Sequence, residues 1–356
     1  MKTLRIVVKL LVSVVFFGVL LSFVKTTELF AVFARINWFY FSLSILLTPC
    51  MMLASCAKWK LILDLKEKKI SFWQLLKIYL IGYFFSNILP STVGGDVVRF
   101  YYAGRLIENQ SFAAISVFVE RFSGIVLLFF LVVAAPMLYP SLYRNPHIWI
   151  PASAGAIFGL MTIWIWLAKN PFSLPNRVSA WLFGAIKRVG QGSGGGIIVR
   201  SAALFEKIYQ KVIARLNKLR GELQVAVAAM RHDSPFLRRL IGLTVLFYLL
   251  TWINVYFSFK AFNVEVSFLA VCAIVPAVML VAHIPVTLLG NLGYFESVFV
   301  FYFLLVGVGG AESLAMGLLL RAKMLAMGAL GFISYLTYRQ QHRLDLPPVS
   351  ADRKNF

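Results

Sequence analysis

The stretch that decides the fold is the apolar run Trp73–Leu89, which ends in Pro90-Ser91-Thr92-Val93-Gly94-Gly95-Asp96. A hydrocarbon core about 30 Å thick requires about 20 consecutive apolar residues in a helix that crosses it. This run is interrupted before that length by a proline, two glycines and a carboxylate. Non-helical backbone is tolerated at membrane depth only where protein or water surrounds it. The sequence therefore predicts a broken or re-entrant segment here.

A second apolar region is broken in the same manner. Phe268–Ile284 is followed by Pro285 and by Gly290-Asn291-Leu292-Gly293, after which apolar residues resume at Ser297–Val308. Transporters commonly build their substrate sites from discontinuous helices of this kind. We therefore expect the two interrupted regions to lie close to a functional site.

The composition excludes a water-soluble globule. Hydrophobic residues make up 60% of the 356 and charged residues 14%, with a mean hydropathy of +0.81; soluble domains are about 45–50% apolar and about 25% charged. The formal net charge of +21 indicates basic loops beside anionic lipid rather than nucleic acid, since no basic segment lies on a plausible soluble domain.

Six further apolar stretches are long enough to cross a bilayer without interruption. We expect an all-α polytopic membrane protein with about six to eight transmembrane helices, in which residues 1–338 form a single integral membrane domain and residues 339–356 a short tail. The first stretch lacks a signal-peptidase cleavage site and is predicted to be an uncleaved anchor. The six stretches are Ile6–Val24, Trp38–Ala57, Phe112–Pro136, Trp149–Leu167, Leu240–Phe259 and Glu312–Leu336.

The distribution of positive charge predicts the orientation. If both interrupted regions return to the side from which they enter, one face carries 28 Lys and Arg and the other carries 4. The positive-inside rule places the richer face in the cytoplasm. We expect a multi-pass protein of the plasma (inner) membrane with both termini cytoplasmic.

The basic loop 169–239 carries 13 of those positive charges. Within it, residues 199–230 show apolar positions at helical spacing with lysine and arginine between them, which predicts an amphipathic helix. This helix either lies on anionic lipid of the inner leaflet or caps the helix bundle. The glycine-rich stretch 191–196 lacks the features of a phosphate loop and indicates a linker.

Charged residues inside the predicted spans follow a repeated interval. Asp96 precedes Arg121 by 25 residues, and Glu296 precedes Arg321 by the same number. Each acid follows a glycine-containing break. In the predicted topology, one acid–arginine unit enters the membrane from one face and the other unit enters from the opposite face. This pattern predicts an inverted repeat whose four charged side chains converge near the bilayer midplane. The alternative is a pair of structural ion pairs that fix the helix register.

The first break resembles a family signature. Asn87-x-x-Pro90-x-x-x-Gly94-Gly95-Asp96-x-x-Arg99 is similar to the N-x-x-P-x-x-x-G-G-D-x-x-R pattern of the lysylphosphatidylglycerol synthase transmembrane-region family, also called flippase-like domain proteins. Glu120-Arg121 resembles the acidic residue and arginine in that family's next helix, and residues 284–296 resemble its second glycine-rich motif. The resemblance covers about residues 5–338.

The resemblance implies a membrane domain that translocates lipid. Family members fused to a soluble aminoacyl-transferase domain make lysylphosphatidylglycerol; since 18 residues follow Tyr338 here, we expect the membrane part without that domain. The motifs and intramembrane charges together give the predicted substrate-binding residues Asn87, Pro90, Gly94, Gly95, Asp96, Arg99, Glu120, Arg121, Gly290, Gly293, Glu296 and Arg321.

The function we expect is translocation of a polar or charged membrane lipid between leaflets, because arginines bind phosphate bidentately. The alternatives are a membrane glycosyl- or phosphotransferase with Asp96 or Glu120 as base, and an accessory subunit of an envelope-lipid enzyme. The sequence lacks the zinc, nucleotide and serine-hydrolase motifs, so we expect no cofactor, no metal and no enzymatic activity. The expected partners are a phospholipid or lipid-linked headgroup, anionic lipid at the 169–239 loop and a separate lipid-modifying enzyme.

Overall fold

The computed structural model describes residues 26–88, 94–167, 233–284 and 291–343, together with Gly18, Val286 and residues 227–228. The predicted span Ile6–Val24 apart from Gly18, the helix 199–230 apart from residues 227–228, most of the 169–239 loop and the tail from 344 lie outside the described residues. Pro90 and Gly290 lie outside them as well. The described helices are α1 Thr26–Ala34, α2 Trp38–Leu63, α3 Phe72–Ile88, α4 Gly94–Leu106, α5 Gln110–Ala134, α6 Pro146–Leu167, α7 Ser234–Ala261, α8 Phe268–Ala282, α9 Tyr294–Leu304 and α10 Gly310–Arg343.

The described residues are helical and contain no strand. Four of their helical segments are long and apolar enough to cross a membrane, and they coincide with four of the predicted spans. The helix α6 coincides with a fifth, and the short apolar helices α8 and α9 form the second interrupted region. The all-α polytopic membrane fold is therefore confirmed. The four long segments are Trp38–Leu63, Gln110–Leu138, Ser234–Ala261 and Gly310–Tyr338.

Polar caps fix where three of the long helices begin. The side chain of Asn37 accepts from the Phe39 N–H at 3.1 Å at the start of α2. Asn109 and Asp233 accept from backbone N–H groups at the starts of α5 and α7, at 3.0 and 2.9 Å. Such caps satisfy N–H groups that have no partner within the helix.

The second helix is longer than the apolar run from which its span was predicted. The span does not stop at Ala57; α2 continues to Leu63 and carries Lys58 and Trp59 into the bundle interior. The helix can continue because Lys58 meets a carboxylate there and the Trp59 indole donates to Ser116 Oγ at 2.9 Å. Lys58 therefore does not belong to the basic cytoplasmic loop in which the charge count placed it.

The helices α3 and α4 form an antiparallel hairpin around the first break. Gly82 lies against Arg99, and Gly95 lies against the Gly82 carbonyl and Ser86 Oγ. The absence of side chains at the two glycines allows this close approach. At the open end of the hairpin, the loop before α3 meets the loop after α4, where Lys68 Nζ lies 2.6 Å from Glu108 Oε1. This hydrogen bond holds the pKa of the exposed Glu108 carboxyl below its usual value.

The pair α8 and α9 opens toward the opposite end of the bundle. Asn263, which follows α7, donates to the Arg35 carbonyl at 2.5 Å just before α2 begins. Near the end of α9, the Tyr302 hydroxyl donates to the His147 carbonyl at 3.5 Å. Since α2 runs from the Arg35 end to the Lys68 end, the two helix pairs open at opposite ends of the bundle.

Each helix pair has its own apolar core. Around α3 and α4 the core contains Trp59, Ile78 and Phe112, all fully buried. Around α8 and α9 it contains Phe259 and Phe303, whose ring centroids are 4.7 Å apart. Each core packs one helix pair against the long helices of the bundle.

Candidate functional site

The first buried charge cluster joins α2, α4 and α5. Glu120 accepts from both Nη atoms of Arg99 at 3.2 Å, and Lys58 Nζ lies 3.4 Å from its other oxygen. Asp96 accepts from Arg121 Nε at 2.5 Å and from Arg99 Nη1 at 3.5 Å. Arg99 therefore bridges the two carboxylates, and the cluster forms one connected network.

Aromatic rings hold the Arg99 guanidinium in place. Its central carbon lies 4.3 Å from the ring centroid of Trp59 and 4.1 Å from that of Tyr79. Cation–π contacts stabilise a guanidinium that has little access to water. The missing side chain at Gly82 leaves room for the Arg99 chain. Arg99 is fully enclosed, and its Nε has no hydrogen-bond partner among the described residues.

The cluster carries an excess of positive charge. Three cations, Lys58, Arg99 and Arg121, face the two carboxylates of Asp96 and Glu120. Arg121 differs from the other two cations because 41% of its side chain is exposed, although it lies in the middle of α5. Arg121 is therefore the most accessible cation of this cluster.

The second buried pair joins α9 and α10. Glu296 Oε1 lies 2.8 Å from Arg321 Nε, and its other oxygen accepts from the Gly293 N–H at 2.8 Å. Gly293 adopts φ +81°, a conformation that favours glycine, and so sets the start of α9. Asn291 ties this turn to the end of α8 by donating to the carbonyls of Ala282 and Ile284 at 2.9 and 2.8 Å.

The end of α3 packs against α10 close to the second charge pair. Asn87 Nδ2 donates to the Met324 carbonyl at 3.2 Å, one turn beyond Arg321. Tyr83 of α3 lies within electrostatic range of Arg321, and His283 at the end of α8 lies within electrostatic range of Arg121. The first helix pair therefore approaches Arg321, which binds Glu296. The second helix pair approaches Arg121, which binds Asp96.

The structure brings most of the predicted site residues together. Gly95, Asp96, Arg99, Glu120 and Arg121 lie in the first cluster, Gly293, Glu296 and Arg321 lie in the second, and Asn87 joins α3 to α10. Gly94 begins α4. Sequence reasoning missed Lys58, Trp59, Tyr79 and Asn291. No group of three or more His, Cys, Asp or Glu among the described residues is arranged to hold a metal ion.

The fold and these sites define a polytopic membrane protein with buried ion pairs between its helices. Residues 6–331 match the family described as Lysylphosphatidylglycerol synthase TM region. The chain belongs to this family, and the predicted resemblance is confirmed. No curated protein and no solved structure matches the chain. Family membership indicates a membrane protein of lipid metabolism or transport.

Proposed function

We propose that this protein translocates a phospholipid, or another lipid with a polar phosphate-bearing headgroup, between the leaflets of the inner membrane. The observation that carries the proposal is Arg121, a partly exposed guanidinium in the middle of a membrane-spanning helix and in a cluster with excess positive charge. A charge at the bilayer centre costs at least about 2.5–3.5 kcal/mol unless water or a counter-ion reaches it. A lipid phosphate is the counter-ion that a membrane supplies, and guanidinium binds it bidentately.

The two hairpins supply a route from one leaflet to the other. We propose that they are re-entrant units of an inverted repeat, each with one acid–arginine pair near its tip. A headgroup that enters at one face would meet Arg121 and then Arg321. Asp96 and Glu296 compete with the phosphate for these arginines, so the lipid can leave again.

The positions of the carboxylates favour transport over chemical transfer. Both Asp96 and Glu120 are counter-ions of arginine, and Glu120 also faces Lys58. The two oxygens of each carboxylate face cations, so neither residue is placed to take a proton from a substrate, which argues against a glycosyl- or phosphotransferase that uses either residue. We therefore propose a transporter rather than an enzyme. An accessory role beside an envelope-lipid enzyme is the remaining alternative.

The orientation and partners follow from the charge distribution. The bundle end with Lys66, Lys68 and Lys69 is proposed to be cytoplasmic, together with both termini. The 169–239 loop would then face anionic lipid of the inner leaflet. A separate lipid-modifying enzyme would supply a modified lipid as the substrate.

Reconstitution in liposomes tests this function. Fluorescent phospholipid in the inner leaflet becomes accessible to an impermeant quencher only if it moves, and mass spectrometry of the same lipid detects chemical change. We expect movement of chemically unchanged lipid. A modified lipid would indicate an enzyme, and movement that requires an added second protein would indicate an accessory subunit.

A further inference from the structure

Another buried basic side chain lies on α10, on the opposite side of the helix from Arg321. Lys323 follows Arg321 by two residues, which turns its side chain by about 200° around the helix axis. It faces α7, where its Nζ lies 2.7 Å from Asn254 Oδ1 and 2.8 Å from Ser258 Oγ. Only 6% of the surface of Lys323 is exposed, so the residue is buried.

The hydrogen bonds around Lys323 fix which atoms accept. The Asn254 amide nitrogen donates to the Ser44 carbonyl at 3.0 Å and to Thr48 Oγ1 at 3.2 Å, so the amide oxygen is turned toward the lysine. The Ser258 hydroxyl donates to the Asn254 carbonyl at 2.6 Å, so its lone pairs face the lysine. Both partners of Lys323 are therefore neutral acceptors.

Two acceptors match a neutral amine. An amine has two N–H donors and a lone pair, whereas an ammonium has three N–H donors and a charge. Among the described residues no carboxylate lies within 4.0 Å of the Lys323 nitrogen. This contrasts with Lys58, which has Glu120 at 3.4 Å.

Among the described residues, the other elements around α10 provide no counter-ion for this nitrogen. On α9, Glu296 pairs with Arg321, and the described hydrogen bonds of the Lys323 nitrogen go to Asn254 and Ser258 and not to Tyr83 of α3. The acidic residue of α1 is Glu28, which is not bonded to Lys323. The groups of α7 that bond to Lys323, Asn254 and Ser258, are neutral. In the part of the chain described here, none of these charged or titratable groups bonds to the Lys323 nitrogen.

We propose that Lys323, with Asn254 and Ser258, is a proton-binding site at which two neutral acceptors favour the amine over the ammonium. When water reaches the site, a hydronium ion gives its proton to the amine lone pair and is left as water. The ammonium returns the proton to a water molecule before the site closes. Resting on the lipid translocation proposed above, this exchange would couple lipid movement to a proton gradient. The site joins α2, α7 and α10, so a change in its charge alters how these three helices pack.

Nitrogen NMR reads the proton directly and requires no lipid transport. Protein with nitrogen-15 lysine is placed in lipid nanodiscs, and Lys323→Met identifies the Lys323 signal. Lys77, an exposed lysine of α3 identified through Lys77→Met, is the reference. At about pH 8 we expect an amine at Lys323 and an ammonium at Lys77. An ammonium at Lys323 wherever Lys77 is also an ammonium overturns the proposal.

A second variant covers the case in which Lys323→Met does not fold. Asn254→Asp keeps the shape of the side chain and places a carboxylate beside Lys323. We expect the Lys323 signal to change from amine to ammonium while the Lys77 signal is unchanged. The same ammonium signal with and without the carboxylate overturns the proposal.

Liposomes with an imposed pH difference test the coupling. We expect a gradient of about one pH unit to change the wild-type rate of lipid movement at least about twofold. The rate of Asn254→Asp should be the same with and without the gradient. Equal wild-type rates with and without the gradient overturn the coupling. If no lipid moves in any sample, the translocation proposal fails, whereas the NMR result still decides the proton site.

Discussion

The carboxylate of Asp96 accepts a hydrogen bond from Arg121 Nε at 2.5 Å, across 25 residues of chain. Glu296 and Arg321 repeat this interval and meet at 2.8 Å. The two pairs differ in access, because the Arg121 side chain is 41% exposed and that of Arg321 is 8% exposed. One pair can be reached from outside the protein and the other is enclosed, which suits a carrier that exposes its two sites in turn.

Replacement of the exposed arginine tests its role in binding. Arg121→Ala removes the guanidinium but leaves Asp96 in contact with Arg99, so the fold retains the central bridge of the cluster. We expect lipid movement in liposomes to fall at least about tenfold, which corresponds to about 1.4 kcal/mol. The melting temperature in detergent should change little.

The matched control for this variant is Arg105→Ala. Arg105 lies in the last turn of α4, and its guanidinium lies against the Tyr101 ring. It has no contact with the cluster, so transport should be unchanged. Equal transport in Arg121→Ala and Arg105→Ala would leave the Asp96–Arg121 pair with a structural role alone.

The enclosed pair should behave differently. Arg321→Ala leaves Glu296, which has no exposed surface, without its cationic partner. Breaking a buried pair in this way costs about 3–5 kcal/mol, so we expect a large loss of thermal stability. The double variant Glu296→Gln with Arg321→Met removes both charges, and we expect it to recover most of the stability but not lipid movement. Full transport in the double variant would contradict a role for this pair in binding.

The acid–arginine pairs could be predicted from the sequence because they depend on spacing. A charge inside an apolar run needs a partner, and the equal intervals identify Arg121 for Asp96 and Arg321 for Glu296. The structure contains both pairs. Five of the predicted spans also appear as helices, because long apolar runs have few alternatives in a membrane.

The missed residues depend on tertiary packing. Lys58 follows an apolar run that is already long enough to cross the bilayer, so the sequence gives no reason to extend the helix. Its burial depends on Glu120, 62 residues further along the chain. Trp59 and Tyr79 come from different helices and meet only at the Arg99 guanidinium, so no local pattern predicts that contact.

Cysteine labelling tests on which side the hairpin opens. The contact between Lys68 and Glu108 places these two loops at one end of the bundle, whereas Arg144 lies in the turn between α5 and α6, at the other end. After the native cysteines are replaced by serine, Lys68→Cys and Glu108→Cys should react with an impermeant maleimide only in inside-out vesicles, and Arg144→Cys only in right-side-out vesicles. Labelling of the first two from opposite sides would rule out a re-entrant first hairpin.

The close approach of the two hairpin helices depends on the absence of a side chain at Gly95. A methyl group there would overlap the Gly82 carbonyl oxygen and Ser86 Oγ, and the carbonyl can move only if α3 moves away from α4. We therefore expect Gly95→Ala to cost about 1–3 kcal/mol, seen as a lower melting temperature in detergent. It should also slow lipid movement, because Asp96 is the next residue and its distance to Arg121 would change. Gly242→Ala is the control, since a methyl group there has nothing within 4 Å and should stabilise α7 by about 0.5–1 kcal/mol. Equal melting temperatures for Gly95→Ala and Gly242→Ala would show that the hairpin does not need this contact.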